Sequence, residues 1–140
     1  MKLIDFGQAF GLAILILALD LAAAFGTVSA WAAFIEPGHP RAFYIQAAPR
    51  LSIISTRIAG PLLFALIVWL FSRRNGERNP FAFALMVFMF YVLADGGMVT
   101  FHGFFSPVIG ISLGLKLMGA LAGAILATSA SRKHDRNEEP

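Results

Sequence analysis

The sequence contains no cysteine and little charge: 14% of its 140 residues are Asp, Glu, Lys or Arg, against about 25% in average soluble domains. Without cysteine there are no disulfides, thiolate metal sites or cysteine nucleophiles, and thiols say nothing of the redox compartment. No glycine-rich phosphate loop, nucleophile elbow, metalloprotease helix or dinucleotide fingerprint occurs. Histidine is scarce, with only His39, His102 and His134. His39 and His102 fall on one side of the expected topology with Glu36 nearby, but their spacing matches no ligand motif, so no metal site is assigned. A haem held between helices needs an axial histidine within a span, and His102 sits only at the edge of one. No cofactor is assigned.

What is present is apolar: 58% of residues are hydrophobic, and the mean hydropathy is +0.74. The length suits one domain, and four membrane spans would occupy nearly all of it, leaving no room for a soluble catalytic domain. A pI of about 9.8 is the usual footprint of a nucleic-acid binder. Here, however, the basic residues form no run and cluster at the ends of apolar segments, where they report topology. The expected partner is the lipid bilayer, with no nucleic acid.

A span needs about 20 largely apolar residues. Four segments qualify, at residues 8–34, 51–71, 80–100 and 107–128, followed by a polar tail at 131–140. Pro80 and Pro107 suit a first helical turn, where a missing N–H costs little. Val28-Ser29-Ala30 resembles a signal-peptide cleavage site, but the apolar stretch is too long for such a peptide and carries Asp20 at its middle. The expected fold is an all-α integral membrane protein, an antiparallel bundle of four transmembrane helices. Loops fall at 35–50, 72–79 and 101–106; within the first, residues 42–48 are expected to lie along the membrane surface with Tyr44 as anchor.

With the N-terminus inside, Lys2, Arg73, Arg74, Arg78, Arg132, Lys133 and Arg136 are cytoplasmic, and only Arg41 and Arg50 lie opposite. That asymmetry predicts both termini in the cytoplasm of a multi-pass protein of the cell inner (plasma) membrane.

Each span carries one ionisable residue: Asp20, Arg57, Asp95 and Lys116. At about 1.5 Å per residue they lie ~18 to ~22 Å from the cytoplasmic end, equal within the uncertainty of the span ends. Two acids and two bases thus form one layer. Lipid exposure of any of them costs at least about 2.5–3.5 kcal/mol, so all four are expected to face the bundle interior. Ser112, Lys116, Gly119 and Gly123 share one helical face, as do Tyr91, Asp95, Met98 and His102, and Asp20, Ala24, Thr27 and Trp31. Pro61 leaves the carbonyl of Arg57 without its usual partner and is expected to bend the second span. Asp95-Gly96-Gly97 is expected either to end the third helix early or to open it locally. Gly7/Gly11, Gly110/Gly114 and Gly119/Gly123 repeat at four-residue spacing and permit close helix approach. Of the fourteen phenylalanines, the dense set at residues 81–90 is lipid-facing or core packing.

Intramembrane charges mark ion pathways and polar substrate sites more often than they serve stability, because desolvation cancels much of the gain from a buried pair. The expected function is a small transporter or channel-like protein. Asp20, Arg57, Asp95, Lys116, Tyr91 and His102 would form its ion- or substrate-binding set, and the chain would work as a homo-oligomer or within a membrane complex. Two alternatives stand beside it. One is a non-catalytic accessory subunit whose charges pair within the bundle or with a partner. The other is a membrane-embedded enzyme acting on a lipophilic substrate near the external face, built around His102, Asp95 and Tyr91.

Overall fold

The structure, a computed structural model, describes residues 3–74, 78–102 and 107–135, with the side chains of 98–102, 107–108 and 131–135 left aside. The described residues form four helices: α1 (Leu3–Phe34), α2 (Arg41–Arg73), α3 (Pro80–His102) and α4 (Pro107–Asp135). All four are long and apolar enough to cross a membrane. Their apolar residues surround each helix instead of forming one stripe. At most 33% of any span window is buried, and Leu21, Phe25, Leu62, Leu93 and Met118 stand exposed. Such all-round apolarity is costly against water and natural against lipid.

Local chemistry sets the helix ends. α1 closes with the N–H groups of Ile35 and Glu36 both donating to the Trp31 carbonyl. The chain then turns through Gly38, whose φ of 86° is readily adopted only without a Cβ. α3 opens on Asn79, whose Oδ1 accepts the N–H groups of Phe81 at 3.0 Å and Ala82 at 3.3 Å, with Pro80 in the first turn.

The helices exceed the expected spans. α2 begins at Arg41, so the first connection is residues 35–40, not 35–50, and residues 42–48 continue into the span as one helix through Pro49 and Pro61. Aromatic packing makes this possible. Phe43 stacks on Trp31 and His39, and Tyr44 donates to the Glu36 carbonyl at 2.7 Å while accepting from His39 N–H at 3.1 Å. The first turn of α2 is thereby fastened to the end of α1. α3 does not stop at the glycines but continues through Gly96 and Gly97 to His102. α4 runs to Asp135, past the expected start of the tail. Thr128 and Ser129 hydroxyls donate back to the carbonyls of Ala124 and Ile125, which satisfies them without partners outside the helix. Residues 75–77, 103–106 and 136–140, parts of the expected loops and tail, lie outside the described residues.

α1 packs on α2 and α3, and α4 packs on α2 and α3, while α1 and α4 face each other across the bundle without close approach. The most extensive contact is between α2 and α4, which run parallel, so sequence neighbours do not dominate the packing. Small residues explain it. A Cβ on Gly119 would overlap the Pro61 backbone, and one on Gly123 would meet the Ala65 carbonyl at 2.5 Å. The Gly119/Gly123 pair therefore packs inside the bundle, whereas Gly7, Gly11, Gly110 and Gly114 have open space in front of them.

The core occupies the half of the bundle nearer the start of α1. Ile16, Phe64, Val68, Phe83 and Val87 are fully buried there, filled in by Ala9, Ala13, Ala120 and Ala124. Phe64 meets Tyr91 edge-on at 5.0 Å, which places the tyrosine at the upper limit of this packed region.

Candidate functional site

Above the core, three helices deliver one polar side chain each to a common point. Asp20 comes from α1, Tyr91 from α3 and Lys116 from α4, and they are 5%, 1% and 2% exposed. Lys116 Nζ donates to Asp20 Oδ2 at 2.7 Å and to the Tyr91 hydroxyl oxygen at 2.5 Å. The Tyr91 hydroxyl donates in turn to Asp20 Oδ2 at 3.1 Å. The ammonium also lies 4.7 Å from the centre of the Tyr91 ring. Lys116 thus bridges α4 and α1, two helices whose backbones do not approach closely.

The sequence places Asp20 on the buried stripe of α1, which reads Asp5, Ala9, Leu12, Ala13, Ile16, Asp20 and Ala24. Lys116 reaches inward because α2 has Gly60 opposite it: a Cβ there would lie 2.5 Å from Lys116 Cε. About two helical turns above Asp20, Thr27 Oγ1 and Ser55 Oγ are 3.0 Å apart, one hydroxyl donating to the other.

A cavity of about 550 Å³ rises from this cluster toward the end of the bundle that carries the α1–α2 connection. Asp20, Tyr91 and Lys116 line it together with Asp95, Ser52, Thr56 and Ser112, among aliphatic side chains that reach back along α1 to Ile14. Ile14, Leu21 and Ile53 of this lining are exposed. Beyond the cluster the other half of the bundle is closed by the fully buried core.

The four layer residues are not equivalent. Asp20 and Lys116 meet directly. Asp95 is half-buried and lines the cavity without a hydrogen-bond or ion-pair partner among the described residues. Arg57 is half-buried, is not among the described cavity lining, and has a buried Nε without a partner among the described residues. His102 ends α3, and its side chain lies outside the described residues. Among the described residues no group of three or more His, Cys, Asp or Glu side chains is placed to hold a metal ion.

A second polar centre escaped the sequence reading. Arg78, counted there as a loop charge, folds under the bundle with its Nη2 donating to Asp5 Oδ1 and, at 2.7 Å, to Gln8 Oε1. Its guanidinium carbon stands 4.1 Å from the centre of the Phe83 ring. Arg78 and Asp5 are 8% and 7% exposed. The available signal was Asp5 itself, an acid four residues before Ala9 on the stripe that also carries Asp20.

No protein-family model, curated protein or solved structure matches this chain. Its function is therefore argued from this geometry alone.

Proposed function

We propose that the chain is a small multi-pass membrane transporter whose cavity is an ion- or proton-responsive binding site. The observation that carries the reading is the buried Asp20–Lys116 pair in the lining of a 550 Å³ cavity, with a second carboxyl, Asp95, in the same lining. A pair retained only for stability gains little, since apolar residues in the same place serve as well. It also needs no cavity beside it, and this volume lies within the range of ligand sites, about 300–1,000 Å³. The sealed half beneath the pair favours a carrier, which exposes its site to one side at a time, over a continuously open pore. In this reading the helices lie in the cell inner membrane with both termini cytoplasmic, and the cavity opens outward.

Currents recorded from purified protein in vesicles on a solid support, during rapid jumps of pH and of a panel of small inorganic and organic ions, test the proposal. A transient current above that of protein-free vesicles supports it; silence across the whole panel counts against it.

One observation favours a second reading, that of a non-catalytic subunit. Gly7 and Gly11 on α1, and Gly110 and Gly114 on α4, leave small-residue surfaces open to another helix. Homo-oligomerisation through these surfaces is compatible with either role.

A further inference from the structure

The unpartnered polar groups of the residues that line the cavity select a class of occupant. Among the described residues two carboxyl groups, Asp20 and Asp95, line it against one ammonium, Lys116, so that ionised lining carries one net negative charge. Asp20 Oδ2 receives both Lys116 and Tyr91, whereas the buried Oδ1 has no partner among the described residues. Asp95 is likewise without one, and so is the buried hydroxyl of Ser112. The Lys116 ammonium is already held between a carboxylate and a phenol. An entering anion would find the Lys116 ammonium engaged and would face Asp95. A metal ion that needs a set of His, Cys, Asp or Glu ligands is not provided for, since no group of three or more such side chains comes together among the described residues. The remaining wall is aliphatic, with Ile14, Leu17, Leu21, Ile53, Ile109 and Leu113 prominent.

We infer that the cavity takes an organic ammonium with an apolar body. Its N–H groups donate to Asp20 Oδ1 and to Asp95, the Ser112 hydroxyl supplies a further acceptor, and the apolar body lies against the aliphatic wall. The occupant competes with the Lys116 ammonium for the field of Asp20, so binding and the internal ion pair are coupled. This rests on the reading of the cavity as a ligand site and narrows it to one charge type.

Calorimetric titration of the full chain in detergent with naphthylethylamine, naphthylethanol and naphthylacetate tests the inference, because the three share a ring and differ in head-group charge. The amine is expected to bind at least about tenfold more tightly than the alcohol, and the acetate not at all. Asp95→Asn removes a carboxyl that holds nothing together and should leave the fold intact. It should weaken the amine about tenfold without changing the alcohol. Lys116→Met, which deletes the internal competitor, should tighten the amine by about the same factor. Equal affinities for amine and alcohol, or an Asp95→Asn variant with undiminished amine binding, would overturn the inference. Acetate binding that disappears in Lys116→Met would also overturn it while leaving the cavity a ligand site. If none of the three probes binds, the ammonium class falls, and the transport reading stands or falls on the vesicle currents alone.

Discussion

Gly60 lies directly against the aliphatic stem of Lys116, with no room for a β-carbon between them. The glycine thereby sets the path by which the lysine crosses from α4 to Asp20. Gly60→Ala should displace the lysine chain and cost about 1–3 kcal/mol, the usual range for overpacking. In the Lys116→Met background, where the chain end is no longer tied down, the same change should cost less. Thermal unfolding of the four variants in one detergent measures the difference; equal costs in both backgrounds would contradict the contact.

The ion pair itself makes a sharper cycle. Asp20→Asn or Lys116→Met alone leaves one buried charge without its partner, at a cost of about 3–5 kcal/mol, softened where water or snorkelling relieves the orphan. The double variant removes both charges and should recover most of that loss. Strict additivity of the two single changes, read from unfolding transitions, would show that the pair is not energetically coupled.

At the other end, Arg78 joins the α2–α3 connection to α1 through Asp5 and Gln8 while covering the Phe83 ring. Arg78→Ala removes the charge, the hydrogen bonds and the ring contact together, and should cost about 3–5 kcal/mol. Arg78→Lys keeps the charge but not the planar fork that reaches two acceptors, so it should recover only part. Limited proteolysis in detergent reports the loosening; a protease-resistant Arg78→Ala variant would argue against a fastening role.

The four long apolar helices were legible in the sequence because such a helix is a local property, visible in the length and purity of an apolar run. The helix ends were less so. α2 starts at Arg41 because Phe43 and Tyr44 pack back onto Trp31, His39 and Glu36, a tertiary arrangement that residue spacing does not encode. The same holds for the site. One ionisable residue per span was plain, and the shared depth of Asp20 and Lys116 followed from counting residues. That Lys116 pairs with Asp20 while Arg57 stays out of the cavity depends on which helices oppose each other across the bundle. That order is set by the small residues of α2 and α4, notably Gly60, Gly119 and Gly123. The contacts of Arg78 were hidden for the same reason: in a sequence a loop arginine counts toward topology whether or not it folds under the helices.

Topology is testable without background labelling, because the chain has no cysteine. Single cysteines replacing His39 and Ser131 should react with a membrane-impermeant maleimide from opposite sides, His39→Cys from outside and Ser131→Cys only after permeabilisation. Reaction of both from one side would rule out the four-span arrangement.

The central claim is that Asp20 and Lys116 respond to what enters the cavity and do more than brace the helices. Flux through vesicles carrying the double variant Asp20→Asn, Lys116→Met tests it most directly, once its unfolding transition shows that stability has returned. The expected outcome is a folded protein that no longer gives the wild-type current on a jump of pH or of the transported ion. A double variant as stable as the wild type, with an undiminished current, would contradict it.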